Sequence, residues 1–315
     1  MKIAVSGCLL GEKVRFDSGH KRDSFIMDEL SRYAEYTSFC PENLAYSSPR
    51  PSIRLVKDKD KPLEVRSNKT GENISQALFE ASKKDLASIS TEDIRGIIFK
   101  SKSPSCGLGS AKIYQDNGFC EGKSDGIFVA MCKERFPLLP MEEEGRLCDP
   151  WLRENFVMQL FAYDSFETLK TDANMNSLVH FHKENKFMLQ SKDEALYRKL
   201  GKIVGNHEKK SFEETLDEYE FLYKTAIAKK SSLGKTRNVL EHMAGFLKKY
   251  LDSEEKAMLH EQIDDYASQI IPLILPLSTL HLYAKKYSVD YLLTQVFLKP
   301  YPKELALRSN TKCVK

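Results

Sequence analysis

Three short apolar runs in the first half of the chain each end at a cysteine. Residues 2–5 lead into Ser6-Gly7-Cys8, residues 36–39 into Cys40-Pro41-Glu42, and residues 97–99 into the segment 100–107 that carries Cys106. Helical patterns over residues 23–33 and 72–87 separate the runs, and a hairpin is expected over residues 53–66 around the turn residues 57–62. A helix over residues 125–135, a short strand near 138–141 and a closing helix from Pro150 to about Tyr163 follow. Strands alternating with helices specify an open, mostly parallel, Rossmann-like α/β sheet. In such sheets ligands gather outside the carboxyl ends of the strands. The pattern places Cys8, Cys40 and Cys106 there, each beside a turn former: Gly7 and Gly11, Pro41, and Pro104 with Gly107.

Past residue 170 the strand patterns stop. Val239, Leu240, Met243, Phe246, Leu247, Tyr250 and Leu251 share one helical face, and similar stripes run through 176–190, 212–228, 254–269 and 273–286. The expectation is two domains, 1–167 α/β and 168–315 all-α with five to seven helices, joined by the polar linker 168–176. Charge divides the same way. Residues 1–155 hold 24 basic and 24 acidic side chains, whereas 176–315 hold 23 basic and 18 acidic. The excess of positive charge in the second half suits an anionic partner. The longest apolar stretch, near 270–277, carries two prolines and is far short of the ~20 residues that span a bilayer. With no signal-like start and seven widely spaced cysteines, a cytoplasmic protein without membrane attachment or disulfide framework is expected.

Thiolates are soft ligands that select zinc, copper(I) or iron–sulfur clusters, and three of them leave one metal position open for chemistry. The same three cysteines would also serve as small buried hydrophobes. Cys120, Cys132, Cys148 and Cys313 sit on helical, loop or tail patterns and read as structural. His180 and His182, two apart on a helix, do not face one another, so no histidine metal site is expected.

Several blocks carry a family likeness. Ser6-Gly7-Cys8-Leu9-Leu10-Gly11, Val14-Arg15-Phe16-Asp17, Gly19-His20-Lys21-Arg22-Asp23, Cys40-Pro41-Glu42, Pro49-Arg50-Pro51 and segment 100–107 resemble the thiouracil desulfurase (TudS) domain over about residues 1–160. Segments 178–189 and 197–201, Asn238-Val239-Leu240-Glu241-His242, Gly245-Phe246 and 272–287 resemble the helical YbgA-type domain. The two in this order resemble the RudS-type desulfidases of 4-thiouridine in transfer RNA. The resemblance implies a [4Fe-4S] cluster on Cys8, Cys40 and Cys106, transfer RNA as partner, sulfide as product and no obligatory protein partner. One departure is Asn43-Leu44-Ala45-Tyr46-Ser47-Ser48, where the family is commonly glycine-rich.

Desulfuration needs a thiophilic Lewis acid for the sulfur and a group that moves protons for the attacking water. Glu42, two residues past Cys40, is the candidate for the second, and Ser101 matches the family's functional serine. Ser103, Arg50, Lys100 and Asp17 are candidate substrate contacts, with Asp17 and His20 also placed to fix the loop after Cys8. Arg15, Lys21, Arg22, Arg54 and Lys102 near the site, and Lys209-Lys210, Lys229-Lys230 with Lys235 and Arg237, Lys248-Lys249 and Lys285-Lys286 in the second half, are candidate phosphate contacts. Competing readings are desulfuration of free thiouracil, a non-catalytic iron–sulfur RNA-binding sensor, and a zinc hydrolase on the same cysteines.

Overall fold

A computed structural model describes residues 1–57, 62–206 and 208–309. The chain divides into two compact units, Met1–Cys148 and Asp149–Lys315.

The first unit is built on a four-stranded, all-parallel sheet. Its strands are β1 (Lys2–Ser6), β2 (Glu35–Phe39), β5 (Ile94–Phe99) and β8 (Met141–Glu143), in the spatial order β2-β1-β5-β8. Ser6 pairs with Phe39 and Phe99 with Glu143, so all four strands end at one edge. Ile3, Ala4, Val5, Ile97, Ile98 and Phe99 are fully buried, as a parallel sheet covered on both faces requires. Phe39, Phe99 and Phe128 close the core, with ring centroids 4.8–6.3 Å apart.

A second sheet is assembled from two antiparallel hairpins joined by one parallel pairing. The expected hairpin is β3 (Ile53–Val56) with β4 (Glu64–Ser67), although residues 58–61 of its turn lie outside the described residues. The other hairpin, β6 (Ala111–Tyr114) with β7 (Cys120–Ser124), is not legible in the sequence, because β6 is only four residues long and β7 has no apolar residue beyond Cys120. The strand order is β4-β3-β6-β7. Leu78 of α2 (Ser75–Ser90) packs onto Ile53, Leu55, Val65 and Ala111 of this sheet. Helices α1 (Pro41–Tyr46), α3 (Ile127–Arg135) and α4 (Glu144–Leu147) complete the unit.

The expected helix at 23–33 is instead a π turn, Phe25–Glu29, followed by a 3-10 turn, Leu30–Arg32. Tyr36 Oη donates to the Ile26 carbonyl at 2.6 Å and Ser31 Oγ to Met27 O at 2.7 Å, drawing carbonyls away from a regular ladder.

The second unit is all-α. Among the described residues it comprises α5 (Pro150–Lys170), α6 (Met175–Glu184), α7 (Lys186–Lys192), α8 (Glu194–Gly205), α9 (Phe212–Ala228), α10 (Leu233–Leu247), α11 (Ser253–Ala267), α12 (Ile274–Lys286) and α13 (Asp290–Leu293). That is more than the five to seven expected, because Asn185 breaks the 176–190 stripe in two and α5 belongs here. The boundary therefore falls after Cys148 and not at 167/168. The far end of α5 is the reason. Phe166 stacks on Tyr219 and Tyr223, Tyr223 Oη donates to Ala162 O at 3.3 Å, and Lys170 pairs with Glu220 at 2.7 Å. Asp149 caps α5 through the amides of Trp151 and Leu152, so the helix starts where the unit does. His182 is a core residue, stacked on Tyr197 and bonded to Tyr219 Oη at 3.2 Å. No helix among the described residues is long and apolar enough to cross a membrane.

Candidate active site

Each of the four parallel strands delivers side chains to the common edge. Beyond β1, residues Gly7–Leu10 form a 3-10 turn that carries Cys8 and closes on Gly11 at φ +96°, a left-handed conformation that suits glycine. Beyond β2, Cys40 stands at the start of α1, with Pro41 in the helix's first turn and Glu42 next. Beyond β5 comes the loop of Lys100, Ser101, Ser103, Ser105 and Cys106. At the end of β8 come Glu143 and Glu144. Because β2, β1 and β5 are sheet neighbours, three cysteines 32 and 66 residues apart reach one cavity of about 360 Å³. That volume lies in the range of small-ligand sites.

Cys8, Cys40, Cys106, Glu42, Arg50, Lys100, Ser101 and Ser103 all line this cavity, together with Arg15, Lys21 and Lys102. Asp17 and His20 do not. Asp17 Oδ1 accepts the Gly19 amide at 3.0 Å and His20 Nδ1 accepts the Arg22 amide at 3.2 Å, so both shape the loop after Cys8. Arg22 and Arg54 also stay off the cavity wall, engaged with Asp28 and Asn68. Cys120 and Cys148 are exposed, Cys132 is buried in α3, and Cys313 lies outside the described residues.

Glu42 is held from three sides. Ser103 Oγ and Ser105 Oγ donate to its Oε1 at 2.8 and 2.7 Å, and Arg50 Nη2 donates to Oε2 at 3.1 Å. Arg50 is buried and its Nη1 donates to Val14 O, Ser47 O and Ser48 Oγ at 2.9–3.0 Å, so one guanidinium ties the Cys8 loop, the end of α1 and Glu42 together. Ser105 Oγ is also 3.4 Å from Cys106 Sγ, which links the carboxylate to a thiol through one hydroxyl.

Ser101 belongs to a second cluster. Its amide and hydroxyl donate to the two oxygens of Glu144 at 2.6 and 2.8 Å, and Lys100 Nζ donates to Ser101 Oγ at 3.0 Å while pairing with Glu144. Glu143 Oε2 accepts the Leu108 amide at 3.1 Å and Ser110 Oγ at 2.6 Å, and Ser110 Oγ in turn accepts the Lys102 amide at 2.8 Å. The Cys106 loop is seated on the start of α3, where the amide of Phe128 donates to Ser105 O at 3.0 Å. A Cβ at Gly126 would stand 2.4 Å from that carbonyl, so only glycine fits. Sequence reasoning missed Ser105, Glu144 and Gly126. The glutamate run at a strand end was the one available signal.

Burial pushes the Cys8 thiol up to about 12 and the Cys40 thiol up to about 11, and holds Cys106 well above its ordinary range. Neighbouring thiols add to this at Cys8 and Cys106, whereas Lys100 and Arg15 pull Cys8 back. Binding a cation here therefore releases protons. Among the described residues, no three His, Cys, Asp or Glu side chains are arranged to hold a single metal ion. A donor set of three cysteine thiols on one cavity fits the iron–sulfur cluster that the sequence resemblance implies.

Comparison with known proteins divides the chain as the structure does. Residues 3–144 match the family described as 2-thiouracil desulfurase, and residues 186–302 match a protein family of unknown function, DUF1722. The chain is 24% identical to the uncharacterized protein YbgA of Escherichia coli over 157 residues, 49% of this chain and 93% of that protein. It is 29% identical to the uncharacterized protein YbbK of Bacillus subtilis over 140 residues, 42% of this chain and 89% of that protein. A solved structure, the [4Fe-4S]-dependent thiouracil desulfidase TudS, is 30% identical, with 46% of this chain and 92% of that one covered at a TM-score of 0.37.

Proposed function

We propose that this chain, whose N-terminal unit belongs to the 2-thiouracil desulfurase family and is joined to a DUF1722 domain, is an iron–sulfur desulfidase that converts 4-thiouridine in transfer RNA to uridine. The observation that carries the reading is the meeting of Cys8, Cys40, Cys106 and a triply held Glu42 on one cavity. Cys8, Cys40 and Cys106 would hold a [4Fe-4S] cluster, which supplies a thiophilic Lewis acid when bound.

The reaction exchanges one atom. A water oxygen bonds to C4 of the base, the C–S bond breaks, and sulfur leaves as sulfide with the protons of the water. No electrons are transferred in sum. Glu42 Oε1 takes the water proton, directly or through the hydroxyl of Ser103 or Ser105, which already donate to it. Arg50, paired with Glu42 Oε2, fixes the direction of the carboxylate. Ser101, with its proton engaged by Glu144, turns a lone pair to the base N3–H. Lys100 and Arg15 offset negative charge as the sulfur departs. A base inside a folded RNA must be exposed or extruded to reach this cavity, and Arg15, Lys21 and Lys102 stand on its wall to meet the backbone.

The test is incubation of cluster-loaded protein with bulk transfer RNA, followed by nucleoside analysis and sulfide assay, with free 2- and 4-thiouracil in parallel. Loss of 4-thiouridine matched by uridine and sulfide is expected. Turnover of the free bases alone would replace the RNA substrate with a small molecule. No sulfide from any substrate, with the cluster intact, would overturn the desulfidase reading and favour a sensor.

A further inference from the structure

The second unit contains a cavity that the proposed chemistry does not use. It is small, about 40 Å³, and is walled by the start of α5 and the start of α10, with Trp151, Glu154, Asn155, Ser231, Ser232 and Arg308 among its residues. At ~10–15 Å³ per water, about three waters fill it, the space of one tetrahedral oxyanion.

Two cations are buried around it without enough counter-charge. Arg308 is 6% exposed; its Nε donates to Glu154 Oε1 at 2.8 Å and its Nη1 to Phe297 O at 2.6 Å, but its Nη2 has no acceptor among the described residues. Lys192 is 1% exposed, and its Nζ donates to a neutral amide oxygen, Asn155 Oδ1, at 2.7 Å. Lys230 lies over the Trp151 ring, and Lys235 donates to Lys192 O at 2.7 Å. Glu154, the carboxylate on the cavity wall, is paired with Arg308 at 2.8 Å, and Asp193 is engaged with Lys229 at 3.1 Å. The start of the fifteen-residue α10 adds the positive end of its dipole, and its cap, Ser232 Oγ, accepts the Lys235 amide at 3.3 Å. Buried charge without a partner is unfavourable, so this arrangement stands ready for an anion.

We propose that this cavity binds a phosphate group, held by Arg308 and the first amides of α10, with Lys192 buried behind them. The small volume takes a free phosphate or a chain-terminal one but not a phosphate within a continuous backbone. Burial drives Lys192 down to about 7, and Arg308, Lys230 and Lys235 push the same way while Glu154 opposes them. A bound anion would reverse that pressure.

Trp151 is the only tryptophan in the chain and lines the cavity, so its fluorescence reports occupancy directly. The experiment titrates inorganic phosphate into the full-length protein in phosphate-free buffer, and repeats the titration with a short RNA bearing or lacking a 5′-phosphate. A saturable change is expected, weakened at least about tenfold in Arg308→Met, a loss expected when a charge-assisted contact is removed. Lys192→Met, which leaves the Arg308–Glu154 pair in place, should weaken it as well and keeps the comparison open if Arg308→Met does not fold. Preference for the 5′-phosphorylated RNA over the dephosphorylated one assigns the terminal phosphate, and response to inorganic phosphate alone assigns the free ion. No saturable response, or equal affinity in the wild type and every folded variant, would overturn the proposal.

Discussion

Lys192→Met should stabilise the second unit, by an amount that depends on pH. In the folded state the lysine is depressed from 10.5 to about 7. At 1.36 kcal/mol per unit, keeping it protonated inside the fold costs roughly 4–5 kcal/mol. The sign follows from proton binding. Between pH 7 and 10.5 the unfolded chain holds a proton that the folded chain has released, so wild-type stability rises with pH across that window. Below about pH 7 both states are protonated and the whole penalty is present; above 10.5 it is gone. Methionine of similar length removes the charge and fills the space. The lost bond to Asn155 is worth about 1 kcal/mol, and Asn155 Oδ1 keeps the Ser231 amide at 3.0 Å. The variant should therefore be more stable by roughly 3 kcal/mol at about pH 6.5, with the gain shrinking toward zero by about pH 10. Urea unfolding followed by Trp151 fluorescence reads this unit by itself, since α5 carries the chain's one tryptophan. Phosphate must be absent, because a ligand bound only to the folded wild type would mask the difference. A variant less stable at about pH 6.5, or a difference that does not change with pH, would refute the reasoning.

Other substitutions test the first unit and the RNA reading. Glu42→Gln should retain the cluster's visible absorbance and lose about 10²-fold or more in turnover; near-normal turnover would remove Glu42 from the reaction. Serine at Cys8, Cys40 or Cys106 should abolish iron loading, whereas serine at the exposed Cys120 or Cys148 should leave it intact, measured as iron and acid-labile sulfide per chain. Gly126→Ala sets a methyl 2.4 Å from the Ser105 carbonyl, so iron loading should fall and the first unit should lose about 2 kcal/mol or more, a prediction that unchanged loading and melting would contradict. Charge reversal at Lys229 and Lys230 should weaken transfer RNA binding and lower the slope of log affinity against log salt by ~0.7–0.9 per lost contact, with free-base turnover unchanged; an unaltered slope would leave the cations at the cavity mouth as the RNA contacts.

The sequence was most legible where one residue type and one backbone signal coincide. Cys8 follows β1, Cys40 follows β2 and Cys106 lies on the loop after β5, and each is flagged by an apolar run ending in a turn former. Helices with long uninterrupted stripes, α9 and α10, were equally plain. Legibility failed where tertiary contacts overrode local pattern. The π turn at Phe25–Glu29 depends on Tyr36, ten residues past Ile26. The second sheet depends on β6, only four residues long, and β7, with no apolar residue beyond Cys120. The domain boundary moved because α5 is apolar enough to read as a closing helix of the first unit, yet Phe166 finds its ring partners on α6 and α9.

The short strand expected near 138–141 is β8, found slightly further on at Met141–Glu143; the omission at the site was its acidic end, because the glutamates at 142–144 look like a solvated charge run. In the fold they end the fourth adjacent strand, and two of them brace the loop that carries Cys106. Glu143 fixes Leu108 and Ser110 on the far side of the cysteine, and Glu144 fixes Ser101 and Lys100 on the near side. Cys106 is thus suspended between two carboxylates whose own positions are set by the β5–β8 pairing, Phe99 to Glu143. The consequence is a division of labour among strand ends. In the proposed reaction those of β1, β2 and β5 would supply the soft ligands, β2 would add Glu42 as the proton-moving group, and β8 would supply rigidity. A cluster ligand on a long loop needs that bracing, because a displacement of about 1 Å at a reacting site is enough to lose most of its rate.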